Sequence, residues 1–590
     1  MLTAYFLFGI HYYSSNVGGR GLYLPYNIIG WVFISILIGI SFFKIYIDKQ
    51  FVYSKIQILI FIGCLFLVLP IFYQNNELQS YSIYPMVFLG GGFLFFSSLL
   101  QFNFSKIDKL NLLYIILIGI GVESIIGIVQ YYGIGFDNYF IFQKKPLPYG
   151  TFQQRNVMAS FMATGTGICL FLLNKDQLIT TLKPKRILIY TVTLFSSILI
   201  IALQSNTGLI AFLIVILFQI HKIKIQNNIY KNFFLFMISG LLIGYLSPQI
   251  MPKLDLAKTR SSVERINSGS IRFELYDITL DLWKENLISG IGYSNFSKKF
   301  REEIASRNKN KKDVNPSILS QHWGHPHNEI LLWVSEGGVS PLIGFIILLL
   351  SYLMMISRYK IKENILLIAI LFPIFFHNQL EFPFRISLAH WIVFLIIIYV
   401  SHNEKLLKYK LKNVKGMIII GSIIPIVCLF YMIATFQKLK ILDQFEKSDM
   451  KDYKLLLDIE NPGPLHIKYD NYILKGLLDL GTKTNDKNAL NMYLNKADNF
   501  IKRSPNPHIY KGMAQAYRSL GDKDGMVNII NESAYLFPIL STNSNWVYFA
   551  LKEIGNDSKA KQLLEKLKIH DPVLYKKINN YHLLKNKILE

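Results

Sequence analysis

Cysteine is scarce in this chain, and charged residues are few for its length of 590 residues. The three cysteines, Cys64, Cys169 and Cys428, all stand inside apolar stretches, where a thiol packs as a small hydrophobic group. Their placement argues against a disulfide framework and against cysteine-ligated zinc. Only 17% of the residues are charged while 52% are hydrophobic, and the hydrophobic residues are clustered. A soluble protein of this length would instead form several domains with short periodic segments.

The apolar residues form blocks of about 16 to 25 residues, near the length that crosses a hydrocarbon core of ~30 Å. Thirteen blocks precede residue 436, and the chain has too little amphipathic sequence to bury them in a soluble fold. The first block is short and could lie at the interface; no cleavable signal peptide is expected, because a positive start and a small-residue cleavage site are both absent. The blocks are residues 1–12, 26–46, 56–73, 83–101, 111–130, 157–174, 187–203, 207–221, 233–249, 329–357, 364–376, 387–401 and 416–435.

Lysine and arginine are distributed unevenly over the short loops between these blocks. Alternate loops carry twenty of them, whereas the opposite loops carry five, namely Arg20, Lys144, Lys145, Arg155 and Arg385. The positive-inside rule places the lysine-rich loops in the cytoplasm. Much of the net charge of +24 then reflects topology, so no nucleic-acid partner is expected.

From about residue 436 the pattern changes to amphipathic helices. Gly521 is followed by Pro538, and the same punctuation returns 34 residues later as Gly555 and Pro572. This period is typical of tetratricopeptide (TPR) repeats, so a TPR-like domain is predicted. It could be a docking surface for a protein or glycan, or a scaffold without a ligand.

The fold class predicted is therefore all-α, a polytopic bundle of about 12–13 membrane helices. Two large segments fall on the predicted outer side, a loop over residues 250–328 and the TPR-like domain over 436–590. Residues 1–249 and 329–435 hold the membrane helices.

Four polar stretches lie on this outer side, where ionisable groups at membrane depth are costly and usually functional. Guanidinium groups bind phosphate oxygens in a bidentate manner, and histidine can accept a proton near neutral pH. The combination predicts group transfer from a lipid phosphate at the outer leaflet. The stretches are residues 148–156, the arginines Arg260, Arg265 and Arg272, the three-histidine segment His322–Glu329, and residues 377–385.

Simpler explanations of the charged residues stay open at this point. The loop arginines could be solvated, or could pair with Glu264, Glu274 and Asp277. Glu381 could pair with Arg385.

The histidines also allow other interpretations. His322, His325 and His327 could ligate zinc, although their spacing matches no standard motif. The ring of His327 could instead cap the helix that is predicted to begin near Asn328.

These stretches resemble the bacterial O-antigen ligase and polymerase superfamily, and within it the pilin-type protein O-oligosaccharyltransferases (PglL-type). Four motifs in the family's order carry the likeness, and a helical C-terminal domain outside the membrane fits it as well. The motifs are Gly150-Thr151-Phe152-Gln153-Gln154-Arg155-Asn156, then Ser270-Ile271-Arg272 with Gly290-Ile291-Gly292, then His325-Pro326-His327-Asn328 with Glu336-Gly337-Gly338, and finally Leu380-Glu381-Phe382-Pro383.

The resemblance implies a multi-pass enzyme of the bacterial inner membrane whose active site faces the periplasm. Its donor would be an undecaprenyl-pyrophosphate-linked oligosaccharide, and its acceptor a Ser or Thr of a pilin or other periplasmic protein. No metal and no other cofactor is implied. His327 would be the catalytic base. The pyrophosphate would be bound by Arg265, Arg272 and Arg155, with support from His325, Asn328, Gln154, Asn156 and Glu381.

One position departs from the family pattern. Family members often carry Ser-Arg before a small residue at the outer start of a mid-chain helix, whereas this chain reads Ser205-Asn206-Thr207-Gly208. Arg155 would then replace the missing arginine.

Other functions compete with protein glycosylation. An O-antigen ligase acting on lipid A-core, or a polysaccharide polymerase, would share the arginines and the histidine. A transporter would carry charged residues at mid-membrane and inverted repeats. The sequence has few such charges and no inverted repeats. A membrane-anchored docking protein would leave the thirteen blocks unexplained.

Overall fold

The computed structural model describes residues 1–74, 78–133, 148–175, 182–219, 228–251, 262–310, 314–319 and 321–537, with isolated positions at 550, 551, 558, 561, 562 and 565. These residues are mostly α-helical. The helices are Leu2–Leu7, Pro25–Asp48, Lys55–Val68, Pro70–Tyr73, Ile83–Phe102, Lys106–Tyr132, Arg155–Lys175, Lys183–Ala202, Asn206–Gln219, Asn228–Ile250, Ser262–Glu285, Phe296–Lys309, Pro316–Leu319, Glu329–Gly337, Val339–Ile356, Ile361–Asn378, Pro383–Ile386, Leu388–Ser401, Lys415–Lys447, Lys454–Leu457, His466–Thr484, Lys487–Arg503, Pro507–Leu520 and Lys523–Leu536.

Nine helices in the described part of the chain are long and apolar enough to cross a membrane, and four shorter apolar helices accompany them. Twelve of the thirteen blocks predicted from the sequence each coincide with one of these helices, and the remaining block, 329–357, contains Val339–Ile356. Length and composition therefore support nine of the 12–13 predicted membrane helices, and the protein is a multi-pass membrane protein.

The predicted block 329–357 is not one helix. It divides into Glu329–Gly337 and Val339–Ile356 at Gly338, whose φ of 74° favours glycine and interrupts the helical backbone.

The chain divides into two compact units. The first contains residues 1–68, 84–261 and 343–465, and the second contains residues 69–83, 262–342 and 466–590.

Within the first unit, the helix Arg155–Lys175 is the most enclosed, with 94% of its apolar window buried. Small residues on this helix allow close approach of its neighbours. Gly208 of the helix Asn206–Gln219 packs directly on Ala159, where an added Cβ would overlap the Ala159 side chain.

A two-stranded antiparallel sheet also belongs to the first unit. It pairs Gln50–Tyr53 with Leu407–Lys410, in a register that sets Gln50 opposite Lys410 and Tyr53 opposite Leu407.

The second unit contains four consecutive amphipathic helices after residue 465, as the sequence pattern predicted. Gly521, at φ 79°, ends Pro507–Leu520, and the Asp522 side chain caps the next helix by accepting from the Gly525 N–H. Met513 and Ala516 are buried between these helices. The second predicted repeat, with Gly555 and Pro572, lies outside the described residues, so the TPR assignment stays a prediction.

Candidate active site

The histidine turn, residues 322–329, lies in the second unit and has a strained backbone at His327. Its φ of 60° is uncommon for a residue other than glycine. The Nδ1 atom of His325 accepts a hydrogen bond of 3.1 Å from the His327 N–H, and the two rings lie 4.4 Å apart. His325 therefore stabilises the turn that sets the direction of the His327 side chain. Such strain is often found at functional sites.

Asn328 caps the helix that follows the histidine turn. Its side-chain oxygen accepts a hydrogen bond of 2.9 Å from the Leu331 N–H. The side chain of Asn328, and not the ring of His327, therefore caps this helix.

The helix Ser262–Glu285, called the arginine helix below, contacts the histidine turn. The Tyr276 hydroxyl donates to the carbonyl oxygen of His327 over 3.3 Å. Arg272 stands one helical turn before Tyr276 and so on the same face of the arginine helix. Arg265 lies on the same helix, two turns earlier. The contact brings Arg272, by its helical position, to the side that faces His327.

Two of the acidic residues considered as partners of the arginines, Glu274 and Asp277, have contacts elsewhere, and the side chain of Glu264 lies outside the described part of the structure. Asp277 pairs with Arg307 at 3.3 Å, and the Glu274 carboxylate accepts from the Asn315 N–H at 2.9 Å. Asp281 also pairs with Arg307; its hydrogen bond to Lys284, and then Arg307, lower the pKa of its carboxyl. The bonds to Arg307 and to the Asn315 N–H fix the arginine helix to the segments beside it.

Two motifs that are far apart in sequence pack against each other beside this helix. The N–H groups of Ile291 and Gly292 donate to the carbonyls of Ser335 and Glu336, over 3.0 and 2.9 Å. Gly290 and Gly338 both have positive φ, and a Cβ on either would overlap backbone atoms of the opposite motif. The glycines are therefore required by close backbone contact.

Glu336 stabilises the same junction with its buried carboxylate. The carboxylate accepts from the Phe296 N–H over 3.0 Å, at the start of the next helix. The Gln74 side chain donates to the Glu336 carbonyl over 2.8 Å, and the Tyr73 hydroxyl donates to the Gly337 carbonyl over 2.8 Å.

Arg301 links the entry of the histidine turn to the C-terminal helices. It is 2% exposed and donates to the carbonyls of Leu319 and Leu536, at 3.0 and 3.4 Å, and to that of Gln321. Its guanidinium stacks over the Phe537 ring, 4.6 Å from the centroid. Burial lowers the pKa of Arg301 to about 10, which still leaves it charged at neutral pH.

The segment Gly150–Asn156 lies in the first unit, held by a buried carboxylate. Glu123 is fully buried and accepts from the Thr151 N–H over 2.6 Å, and its other oxygen lies 2.7 Å from His11 Nδ1. Gly150, at φ 61°, leaves no room for a Cβ beside this carboxylate. The Gln130 side-chain oxygen accepts from the Gly150 N–H over 2.8 Å.

Glu381 gathers three side-chain donors around a second buried carboxylate of the first unit. Gln154 donates over 3.1 Å, Asn156 over 2.5 Å, and His377 Nε2 lies 3.2 Å away. Glu381 is 6% exposed. Arg155, the first residue of its helix, thus stands between two amides that bind the same carboxylate.

Asn156 also contacts the turn that begins at Ser205, where the sequence has Asn206 in place of the arginine expected from the resemblance. Its side-chain oxygen accepts from the Ser205 hydroxyl over 2.8 Å. Arg155 precedes Asn156 and Asn206 follows Ser205, so each is next in sequence to one partner of this hydrogen bond.

The predicted site residues thus form one group in each unit. Arg155, Gln154, Asn156 and Glu381 come together in the first unit, at the start of the helix Arg155–Lys175. The second unit contains the arginine helix with Arg265 and Arg272, and the histidine turn with His325, His327 and Asn328. In the described residues, no three His, Cys, Asp or Glu side chains lie together in a way that could hold a metal ion.

Sequence reasoning missed several residues of these groups. Glu123 offered a signal, because it is a carboxylate within an apolar block. The sequence contained no such signal for His11, Tyr276 or Arg301, because the residues that they contact lie far along the chain.

Two parts of the chain match known protein families. Residues 191–349, which include the arginine helix and the histidine turn, match the family described as O-antigen ligase. Residues 365–552, which include Glu381, match the family described as virulence factor membrane-bound polymerase, C-terminal. No curated protein matches the chain.

Proposed function

We propose that this protein is a membrane enzyme of the O-antigen ligase type that transfers lipid-linked glycans, and that its acceptor is a hydroxyl of a protein. The reaction proposed is O-oligosaccharyl transfer from undecaprenyl pyrophosphate to Ser or Thr of a pilin or other periplasmic protein. The site faces the periplasm, following the excess of lysine and arginine in the alternate loops.

The contact between the arginine helix and the histidine turn carries this proposal. The bond from Tyr276 to the His327 carbonyl sets a histidine beside a helix that bears Arg272 and Arg265. Histidine can remove a proton near neutral pH, while arginine binds pyrophosphate oxygens. Transfer of a glycan from a pyrophosphate to a hydroxyl can use both groups, one for the acceptor proton and one for the leaving group.

The chemical step follows from these roles. His327 takes the proton of the acceptor hydroxyl as the oxygen attacks the anomeric carbon of the glycan. The bond between that carbon and the pyrophosphate oxygen breaks, and the electron pair leaves with the lipid pyrophosphate. Arg265, Arg272 and Arg155 stabilise the charge that develops on the leaving group. The proton on His327 then passes to water, which restores the base.

The protein acceptor is supported by two motifs of the first unit, Gln154–Asn156 and Glu381. In the resemblance drawn from the sequence, these segments characterise the protein-glycosylating branch, and the structure joins them through the Glu381 carboxylate. The proposal includes the division of the chain into residues 1–249, 250–328, 329–435 and 436–590. In this proposal the TPR-like domain, residues 436–590, is the docking surface for the acceptor protein.

Intact-mass spectrometry of periplasmic and pilus proteins tests the acceptor. Deleting the gene is expected to remove a fixed glycan mass from one or more of these proteins, and the wild-type gene is expected to restore it. Unchanged protein masses with altered lipopolysaccharide or polysaccharide ladders would favour the second candidate, an O-antigen ligase or polymerase. That candidate draws on the polymerase match over residues 365–552.

Arg155 is proposed to replace the arginine that is missing at position 206. Arg155→Ala is expected to raise KM for the lipid-linked donor roughly tenfold, the loss of one charge-assisted hydrogen bond. Adding Asn206→Arg should recover most of this loss, because the bond between Ser205 and Asn156 brings the turn that carries position 206 to the start of the helix that Arg155 begins. Steady-state kinetics with varied donor measures both effects.

Arg186→Ala is the control, since Arg186 lies on the predicted cytoplasmic side, and it should leave the donor KM unchanged. An Arg155→Ala enzyme with the wild-type KM would show that Arg155 does not contact the donor.

A further inference from the structure

A chain of buried side chains continues from Glu381 into the interior of the first unit. His377 Nδ1 lies 2.8 Å from the Ser160 hydroxyl, and that hydroxyl lies 3.3 Å from His390 Nε2. His390 Nδ1 in turn lies 3.0 Å from the Ser387 hydroxyl. Both histidines and both serines are fully buried. None of these four residues has a part in the chemistry proposed above.

Two proton positions in this chain follow from neighbouring groups that can only accept. A carboxylate only accepts, so His377 Nε2 carries the proton that points to Glu381, 3.2 Å away. The Ser160 hydroxyl lies 2.8 Å from His377 Nδ1 and 3.0 Å from the Val157 carbonyl, so it is in contact with both. His390 Nε2 lies 3.0 Å from the Val157 carbonyl, which also only accepts, so this nitrogen carries the other proton.

The contacts therefore form a continuous chain. Ser387 contacts His390, His390 contacts Ser160 and the Val157 carbonyl, Ser160 contacts His377, and His377 donates to the Glu381 carboxylate. The chain thus ends on a buried carboxylate. A buried carboxylate is stable only when such donors surround it.

We propose that His377, Ser160 and His390 are positioning residues for the donor site of this enzyme. They orient the Glu381 carboxylate, which binds the amides of Gln154 and Asn156 on either side of Arg155. The chain thus sets the backbone at Arg155, whose guanidinium contacts the pyrophosphate. This inference rests on the proposed function, because it assumes that Arg155 contacts a lipid pyrophosphate.

Binding of undecaprenyl pyrophosphate to the full chain in lipid nanodiscs tests the inference without any acceptor. Ser160→Ala and His377→Leu each remove a link and should raise the Kd roughly tenfold. His377→Gln should keep the Kd within about threefold, because its amide N–H can still donate to Glu381. A purely structural role would not be rescued by glutamine in this way.

Ser98→Ala is the matched control. Ser98 is buried in the same unit and bonds Ser41 over 2.9 Å, outside the chain to Glu381. This variant should bind undecaprenyl pyrophosphate like the wild type. If His377→Leu folds poorly, Ser160→Ala and His377→Gln still decide the question, because each changes one small polar group.

The outcomes separate this inference from the proposed function. If the wild type binds undecaprenyl pyrophosphate but Ser160→Ala and His377→Leu bind it equally well, the positioning role is wrong and the proposed function stands. If Ser98→Ala weakens binding as much as Ser160→Ala, the effect is general packing and the positioning role is likewise wrong. If the wild type does not bind this lipid, the proposed function fails, and the inference fails with it.

Discussion

His327→Asn is expected to lower the turnover of glycan transfer by about 10²- to 10⁴-fold, the usual contribution of a general base. Asparagine tolerates the left-handed backbone that His327 adopts at φ 60°, so the histidine turn should keep its shape. Asparagine, however, has no nitrogen that accepts a proton near neutral pH. KM for the lipid-linked donor should change little, since the pyrophosphate is assigned to the arginines. Turnover is measured with the purified full chain and separate titrations of donor and acceptor.

His322→Ala gives the comparison for this experiment. His322 is an exposed histidine of the same turn, 3.2 Å from the Ser504 hydroxyl, and has no part in the proposed chemistry. It should keep most of the turnover. Wild-type turnover in His327→Asn would rule out His327 as the base, whatever the acceptor proves to be.

Gly338→Ala is expected to destabilise the second unit by roughly 3 kcal/mol, near the upper end for a residue forced into an unfavourable backbone conformation. Two costs combine at this position. Its φ of 74° disfavours any residue with a Cβ, and that Cβ would overlap the backbone of Ile288 and Gly290. Backbone atoms cannot rotate away as a side chain can, so the two motifs would have to separate. Thermal unfolding of the full chain in detergent should show a lower Tm.

Gly324→Ala is the control for stability, because a Cβ at position 324 meets nothing within 4 Å. Its Tm should match that of the wild type. Equal Tm values for the two variants would mean that the junction of the two glycine motifs is loose enough to accept a side chain.

The sequence predicted local features well, because they depend on local chemistry. Hydrophobic blocks of membrane length became apolar helices, and Gly521 ended a helix where the repeat pattern indicated. The break at Gly338 was not predicted, although the pair Gly337-Gly338 is a turn signal in the sequence; the close approach of Gly290 shows why glycine is needed there.

The contacts that form the candidate site were beyond sequence reasoning. Glu123 was visible as a charge in an apolar block, but its partner His11 lies 112 positions away. Nothing in the sequence indicated that Arg301 is buried and donates to the carbonyls of Leu319 and Leu536. His377 belonged to a polar stretch, but its bond to Ser160 depends on how two membrane helices pack. Pairing over such distances follows from tertiary structure, and a single sequence carries no signal for it.

The small sheet of the first unit has a consequence for biosynthesis. Its strands, Gln50–Tyr53 and Leu407–Lys410, are separated by about 350 residues. At a ribosomal rate of about 5–20 residues per second, the first strand waits roughly 20 to 70 s for its partner. During that time its edge is open to any extended chain nearby. Closure of the sheet therefore marks a late stage of assembly, after most of the apolar helices have emerged from the ribosome.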